Sequence, residues 1–350
     1  MSRRTRVPGL AEIAKIAGVS VSTVSRVLNR RAGVNEDTRQ RVLAALSDLP
    51  YSPRGLGALQ RTGVIGLLLP ELSNPVFPAF AEALETKATA AGYSSLLCNT
   101  RSAGLREEEY VRMVLARGVE GMIFVSPAIT NAPPGEAPEA GYYTRLVADG
   151  VRMVFINGAT PALDVADIGV DEQLAGYLAT SHLIALGHTR IGFVSGPARA
   201  LPSRLKRAGW AAALEENGHP APAELVAHGP FEPSGGAAAL GHLLDTVAPT
   251  AVICSSDQMA IGALREAARR GLRVPAQLSV VGFDDIPFAR HCTPALTTVA
   301  QPISEMSAAA VDELVQRLEP DSRRETAASH TRLFRPKLVV RESTGPIPRA

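Results

Sequence analysis

The chain has few cysteines and no long apolar run, and both shortages limit what it can be. Its three cysteines, Cys98, Cys254 and Cys292, lie far apart in 350 residues and form no C-x-x-C pair. The sequence therefore predicts neither a disulfide framework nor a zinc site. No apolar segment approaches the ~20 residues of a membrane span, and Glu12 and Lys15 stand where a signal peptide has its apolar core. We expect a cytoplasmic protein.

Motifs of the common enzyme classes are also missing. The sequence contains neither Gly-x-Ser-x-Gly nor a P-loop, and His182 and His188 lack the H-E-x-x-H spacing. The pair Gly55-x-Gly57 follows no strand and lacks the third glycine of a dinucleotide-binding loop. We therefore predict no catalytic residue, no cofactor and no metal, and we interpret the two histidines as structural.

Positive charge is concentrated at one end of the chain. Residues 1–63 carry 11 Lys and Arg against 4 Asp and Glu, whereas residues 64–350 carry 25 against 30. A small basic module joined to a mildly acidic body is typical of proteins that bind DNA through phosphate contacts. A solvated basic tail agrees equally well with the charge alone.

The two parts differ in hydrophobic periodicity. The first contains three short helical patterns, 10–17, 21–29 and 36–49, with Ser20 and Asn35 as N-caps of the second and third. Beyond residue 63, apolar strands alternate with amphipathic helices, which indicates doubly wound parallel sheets. The predicted strands are 64–69, 94–98, 121–125, 153–156, 191–195, 251–254 and 279–283, and the predicted helices are 78–91, 105–116, 172–186, 205–217, 258–270 and 303–318.

This larger part is expected to form two α/β lobes with a cleft between them. About 280 residues with this many strands exceed what one compact sheet usually needs. Glycines after several helices mark their ends, namely Gly92, Gly118, Gly187, Gly218 and Gly271. We interpret residues 130–141 and 320–330 as loops or crossing segments rather than as linkers between domains. Ligands of open α/β sheets bind at the carboxyl ends of the strands, so polar residues there are the first candidates for a site.

The helix that begins after Ser20 carries residue types suited to DNA bases. Its exposed early face presents Val21, Ser22, Ser25 and Arg26. A bidentate arginine–guanine contact discriminates between bases by ~1–3 kcal/mol, which makes Arg26 the strongest candidate. On pattern alone, a helical hairpin with a surface arginine remains the alternative.

The N-terminal segments closely resemble the headpiece of the LacI/GalR repressors. The resemblance lies in AEIAKIAGVSVSTVSRVLN (11–29), NEDTRQRVLAAL (35–46) and Leu49-Pro50-Tyr51-Ser52-Pro53. It implies a helix-turn-helix headpiece over 1–52 and a hinge over 53–62. It further implies that bases are contacted by Val21, Ser22 and Arg26, and that phosphates are held or approached by Ser20, Thr23, Ser25, Asn29 and Thr38.

The hinge departs from the family pattern. It is a few residues shorter than usual and contains Gly55 and Gly57, each of which costs a helix roughly 1 kcal/mol relative to alanine. Family members insert a hinge leucine into the minor groove, but an ungapped alignment places Gln60 at that position. Leu56 or Leu59 is then the candidate for this role.

The resemblance continues through most of the remaining chain. It lies in residues 64–80, 181–197, 256–275, 278–285, 296–302 and 338–343. It implies a periplasmic-binding-protein-like domain over 63–345 that binds a small effector and forms a homodimer. The C-terminus lacks a leucine heptad, so a tetramer is not indicated.

Six residues match effector-binding positions of the family, namely Phe77, Asn157, Lys206, Phe231, Ser256 and Asp284. Asp284 directly follows a predicted strand and is expected to accept hydrogen bonds from ligand hydroxyls, with loop capping as the alternative. The two phenylalanines suit the C–H face of a sugar or a base, with core packing as the alternative. Lys206 stands where the family commonly has arginine, and Ser256 where many members have asparagine. We expect Asp257 to be a helix N-cap rather than a ligand contact.

These features together predict a repressor of a carbohydrate-utilisation operon. A homodimer would bind operator DNA, and a sugar-like effector in the cleft would control its affinity allosterically. A solute-binding protein shares the two-lobed architecture but has no use for the headpiece. The sequence also leaves room for a sensor of a nucleobase or nucleoside and for a nucleotide-dependent enzyme.

Overall fold

The chain forms two compact units, divided between Thr62 and Gly63 in a computed structural model. The structure describes residues 10–28, 34–47, 62–100, 107–131, 140–158, 163, 165–319 and 331–347. Three residues predicted to contact DNA, Asn29, Leu56 and Leu59, lie outside these ranges, as does the side chain of Ser25. The two units are described separately.

The described part of the N-terminal unit is a cluster of three helices. These are α1 (Leu10–Ala17), α2 (Val21–Leu28) and α3 (Glu36–Ser47). Their apolar faces form one small core of Ile13, Ala14, Ala17, Val24, Val27, Val42 and Ala45. Gly18 has φ +64°, and the N–H of Val19 donates to the carbonyl of Ala14 at 3.0 Å, which ends α1 in the turn that its glycine predicts.

The described residues of the larger unit form two six-stranded sheets. The first has the strand order β11-β5-β4-β3-β1-β2 and consists of β1 (Val64–Leu69), β2 (Ser94–Asn99), β3 (Gly121–Val125), β4 (Arg152–Ile156), β5 (Ala166–Val170) and β11 (Thr331–Phe334). The second has the order β12-β10-β9-β8-β6-β7 and consists of β6 (Ile191–Ser195), β7 (Val226–His228), β8 (Ala251–Cys254), β9 (Ser279–Asp284), β10 (Thr297–Ala300) and β12 (Lys337–Val339). Neighbouring strands are parallel, except that β12 runs antiparallel to β10. The strand order reverses between β1 and β3 and again between β6 and β8, which are the switch points where such sheets bind ligands.

Eight helices cover these sheets within the described ranges. They are α4 (Val76–Ala90), α5 (Glu107–Ala116), α6 (Ala140–Ala148), α7 (Glu172–Ala185), α8 (Leu201–Glu216), α9 (Pro233–Thr246), α10 (Asp257–Arg269) and α11 (Ile303–Leu318). All five glycines predicted to follow helix ends have positive φ, so these helix ends are confirmed. α6 begins inside the stretch interpreted as a loop, and α9 was not predicted. None of the described helices has the length and apolar content needed to cross a lipid bilayer.

In the part of the larger unit that the structure describes, the chain passes three times between the two sheets. It crosses at Asp171 between β5 and α7, at Gln301-Pro302 between β10 and α11, and at Arg335-Pro336 between β11 and β12. α7 packs against α8 and β10, whereas α11 packs against α4 and β4. The larger unit is therefore a pair of α/β lobes, as the sequence predicts, and the three crossing segments join them.

Two glycines bring α7 and α8 into close contact. A Cβ added at Gly176 would lie 2.0 Å from the carbonyl oxygen of Lys206, and one added at Gly209 would lie 1.9 Å from that of Gln173. Only glycine permits this backbone approach. The approach places the first turn of α7, with Glu172, beside Lys206 on α8.

Candidate functional site

A cleft lies between the two lobes at the carboxyl ends of their strands. It encloses about 670 Å³ of empty space, part of it open to solvent. All six residues predicted to bind an effector line it: Phe77, Asn157, Lys206, Phe231, Ser256 and Asp284. The lining also includes polar residues that were not predicted, among them Glu71, Asn74, Ser126, Thr130, Glu172, Ser255 and Gln301.

Backbone strain is concentrated where strands enter this cleft. Ser126 follows β3 with φ 49°, Asn157 follows β4 with φ 55°, and Asp284 ends β9 with φ 110°. Residues other than glycine avoid positive φ, at a cost of about 1–3 kcal/mol each in rare conformations. The surrounding structure must hold these three residues in place, which keeps their side chains at the cleft.

Lys206 is buried and ion-paired. Its ammonium nitrogen lies 2.9 Å from Oε2 of Glu172 and 3.7 Å from the ring centroid of Phe283. Burial raises the pKa of the Glu172 carboxyl, and the Lys206 charge opposes that rise. The one positive charge among the described lining residues is therefore compensated inside the protein.

A chain of side-chain hydrogen bonds joins the two lobes across the cleft. The N–H of Val170 donates to Oδ1 of Asn157 at 3.0 Å, Nδ2 of Asn157 donates to Oε1 of Gln301 at 3.2 Å, and Nε2 of Gln301 donates to Oδ1 of Asp284 at 2.7 Å. A backbone N–H can only donate, so it fixes the orientation of both amides. We call Asn157, Gln301 and Asp284 the amide relay.

Asp284 is buried at the end of this relay, and its pKa is strongly shifted. Burial raises the pKa to about 7, while the charge of Lys206 and the hydrogen bond from Gln301 oppose the rise. The carboxyl group thus changes its charge near neutral pH. In its ionised form it can accept hydrogen bonds from ligand hydroxyls in the cleft.

The expectation that Asp257 is an N-cap was wrong, because Ser256 fills that position. Its hydroxyl accepts the N–H of Met259 at 3.3 Å. Asp257 is the first helical residue and has no exposed surface. Its carboxylate accepts the N–H of Ile286 at 2.9 Å and the hydroxyl of Thr298 at 2.6 Å. It therefore anchors the loop that follows Asp284 from beneath the cleft.

The two predicted aromatic residues line the cleft from different lobes. Phe77 is on α4 and Phe231 precedes α9, and each is half-buried and packs partly on the core. A Cβ at Gly196 would lie 2.4 Å from the Phe231 ring, so the glycine after β6 makes room for this ring. Both phenylalanines therefore pack against the core and also line the cleft.

The α2 helix of the N-terminal unit has an exposed face and a buried face. Val21 is 46% exposed and Ser22 and Arg26 are exposed, whereas Val24 and Val27 are buried in the small core. This separation agrees with the face predicted to contact DNA.

Two predicted phosphate contacts lie where helices of the N-terminal unit begin. The hydroxyl of Ser20 accepts the N–H of Thr23 at 3.1 Å. The N–H of Thr38, in the first turn of α3, donates to Oδ1 of Asn35 at 2.8 Å. Both N-caps predicted from the sequence, Ser20 and Asn35, are therefore confirmed.

Sequence comparison places both units in known families. Residues 9–54 match the bacterial regulatory proteins of the lacI family, and residues 180–344 match the periplasmic binding protein-like domain. The HTH-type transcriptional regulator MalR of Streptomyces coelicolor is 41% identical over 345 residues, which cover 97% of each chain. The chain belongs to the LacI family. It is therefore a DNA-binding transcriptional regulator and not an enzyme, as predicted.

Solved structures of LacI-family regulators share the whole architecture. A complex of the transcriptional regulator CelR with cellobiose superposes with a TM-score of 0.71 and 30% identity, covering 96% of this chain and 99% of that one. The lac repressor dimer bound to operator and the anti-inducer ONPF gives a TM-score of 0.69 and 28% identity, covering 97% and 100%. The predicted fold, a helix-turn-helix headpiece with a two-lobed α/β domain, is confirmed.

Four cleft residues of this LacI-family protein were missed although the sequence carries a signal for them. Ser126 directly follows β3 and Ser255 directly follows β8, and both strands were predicted. Gln301 directly follows β10, and Glu172 follows β5 after one residue. A polar residue just after a strand is the same signal that marked Asp284. β5 itself was overlooked because Asp167 and Gly169 interrupt its apolar run.

Proposed function

We propose that this LacI-family protein is a homodimeric repressor whose affinity for operator DNA is controlled by a sugar-like effector in the cleft. One observation carries the proposal. Six residues from separate segments, chosen on family resemblance, line a single cleft between the lobes. The cellobiose complex of CelR and the operator-bound dimer of the lac repressor support the ligand class and the assembly. A DNA-binding regulator of this kind acts in the cytoplasm, where the bacterial chromosome lies.

On the DNA side, α2 is proposed to lie in the major groove. Arg26 would donate to guanine O6 and N7, Val21 would contact a thymine methyl, and Ser22 a polar base edge. Phosphate contacts are assigned to Ser20, Thr23, Ser25, Asn29 and Thr38, and the minor-groove wedge to Leu56 or Leu59. Two headpieces on one dimer would contact two half-sites of a roughly palindromic operator.

On the effector side, the cleft offers the groups that a sugar needs. Ionised Asp284 accepts hydrogen bonds from hydroxyls, and Asn157 and Ser256 supply further polar contacts. Phe77 and Phe231 offer apolar faces to the C–H groups of the ring. The paired Lys206 adds one charged donor at the inner wall.

Control of DNA binding is proposed to act through the relative positions of the two lobes. The amide relay joins Asn157 of the first sheet to Asp284 of the second, so a ligand that contacts both ends favours one lobe arrangement over others. Such a ligand changes operator affinity only if it binds the two arrangements unequally. The coupling then passes to the hinge over 53–62.

The test is to select duplexes from a random DNA pool with the purified protein and then titrate ligands against the selected duplex. We expect a preferred, roughly palindromic duplex whose affinity changes at least fivefold with one sugar, the usual scale of allosteric coupling. Glucose, maltose, cellobiose, ribose and nucleosides form the panel. A nucleoside response without a sugar response contradicts the effector class, and no preferred duplex contradicts the proposal as a whole.

A further inference from the structure

The ion pair of Lys206 and Glu172 affects which ligands the cleft can bind. A lysine at an effector site is expected to attract anions such as phosphates and carboxylates. Here the Lys206 ammonium lies 2.9 Å from the Glu172 carboxylate and over the ring of Phe283. We propose that this pair makes the cleft selective for neutral, hydroxyl-rich ligands over their phosphorylated or carboxylated counterparts. The inference rests on the proposed function and specifies its effector class.

The formal charges of the cleft favour this selectivity. Glu71, Glu172 and Asp284 line it, and Lys206 is the single cation among the described lining residues. The lining therefore carries more negative than positive charge whenever its carboxylates are ionised. An anionic ligand would be desolvated in a partly buried space beside like charges, which costs affinity.

The N-terminus of α8 also faces the cleft, and its partial positive charge favours anionic ligands. Ala200 and Pro202 line the cleft, and the N-cap position at Ala200 offers no side-chain cap. A helix N-terminus corresponds to about half an elementary charge. Each of the three carboxylates carries a whole one when ionised, so the carboxylates outweigh this partial charge.

The remaining polar lining suits neutral hydroxyls. Ser126, Thr130, Ser255 and Ser256 contribute hydroxyl groups that both donate and accept. The hydroxyl of Ser255 is buried and has no partner within the described residues. A sugar hydroxyl can satisfy such a group as donor or as acceptor, whereas a phosphate only accepts.

Matched ligand pairs test the proposal on the unmodified, full-length protein. The pairs are glucose with glucose 6-phosphate and with glucuronate, ribose with ribose 5-phosphate, and adenosine with adenosine monophosphate, all measured by calorimetry at pH 8. We expect the neutral member of whichever pair binds to be preferred by about 100-fold, the scale of one like-charge contact in a protein of intermediate dielectric. Equal or tighter binding of the anionic member overturns the inference.

A charge-matched pair of variants separates the ion pair from net charge. Glu172→Gln leaves Lys206 uncompensated and is expected to improve the affinity for the anionic ligand at least tenfold. Glu71→Gln removes the same formal charge from the lining but leaves the ion pair intact, so its gain for the anionic ligand should be smaller than that of Glu172→Gln, which also frees the Lys206 ammonium. Equal gains in both variants contradict a role for the pair. Because an unpaired buried lysine endangers folding, thermal unfolding is recorded for each variant.

The double variant Glu172→Gln/Lys206→Gln removes both charges and is expected to lose the gain for the anion. If Glu172→Gln does not fold, the double variant is compared with the unmodified protein instead. The double variant is then expected to bind the anionic ligand no more tightly than the unmodified protein, and tighter binding contradicts the proposal. Binding of adenosine but of no sugar would contradict the proposed sugar effector while supporting the charge selectivity. Binding of no ligand in any pair overturns both.

Discussion

Single residues of the cleft combine burial with charge, and Asp284 shows the consequence most clearly. Burial raises its pKa from 3.8 to about 7. Between these two values the unfolded chain loses the proton while the folded protein keeps it. The stability that the raised pKa provides at low pH is therefore lost as pH rises toward 7. A charged carboxylate at this position favours ligand binding at the expense of stability.

We predict that Asp284→Asn stabilises the protein more at pH 8 than at pH 5. The amide is nearly isosteric, can still accept from Gln301, and carries no charge to desolvate. The difference between the two pH values is expected to be on the order of 2 kcal/mol. Urea unfolding at both pH values measures it, with the exposed Asp312→Asn as the control. If Asp284→Asn changes the free energy of unfolding by the same amount at pH 5 and at pH 8, the Asp284 carboxyl is not desolvated.

A second residue-scale prediction concerns Arg26. Arg26→Ala is expected to cost about 10- to 100-fold in discrimination at one base position, since a bidentate contact contributes ~1–3 kcal/mol. Non-specific, salt-sensitive binding should largely remain. Arg41→Ala removes the same charge from an exposed side chain of α3 and should leave the base preference unchanged. Binding to a library of single-base variants of the selected duplex compares the two, and equal preferences in both variants would remove Arg26 from its assigned role.

At the scale of elements, glycine inside helices marks close packing. A methyl group at Gly209 would lie 1.9 Å from the carbonyl oxygen of Gln173. Gly209→Ala is therefore expected to force α7 and α8 apart, to destabilise the protein by about 1–3 kcal/mol and to weaken ligand binding by displacing Lys206.

The control is Gly141→Ala in α6, where the nearest atom is an Arg145 side-chain nitrogen at 3.9 Å. That change should be neutral or stabilise by up to about 1 kcal/mol. Denaturant unfolding of both variants, together with calorimetry of the bound sugar, checks the contrast. Similar effects at the two glycines would show that the contact between α7 and α8 is not close.

Close helix packing also explains why α9 was not predicted from the sequence. The run of α9 contains Gly235 and Gly236, which weaken a helical pattern. A Cβ at Gly236 would lie 1.9 Å from the carbonyl oxygen of Met259 on α10. Gly236 therefore serves a contact between two helices rather than a turn, and only the folded neighbour reveals the difference. By contrast, the central strands were predictable because burial on both faces demands uninterrupted apolar residues.

The sequence identifies the candidate site residues one at a time, but it does not show which of them contact each other. Asp284 and Asn157 follow apolar strands, and that position alone marks them. Their connection through Gln301 depends on a crossing segment that joins residues 144 positions apart in sequence. The pairing of Lys206 with Glu172 likewise depends on the close approach of two helices. Long-range contacts of this kind follow from topology and leave no local pattern.

At the scale of the whole molecule, the proposed function couples a cleft in one unit to the helix in the other that we propose contacts DNA. Thermodynamic linkage makes that coupling reciprocal. If the effector changes operator affinity by a given factor, the operator must change effector affinity by the same factor. If the two units bind operator and effector independently, neither ligand changes the affinity of the protein for the other.

The most direct measurement is therefore effector affinity with and without saturating operator duplex. Calorimetry with the sugar found by titration gives both constants, and a duplex of scrambled sequence is the control. We predict that the selected duplex changes effector affinity at least fivefold, by the same factor as the effector changes operator affinity, while the scrambled duplex does not. Identical effector affinity on and off the operator would contradict it.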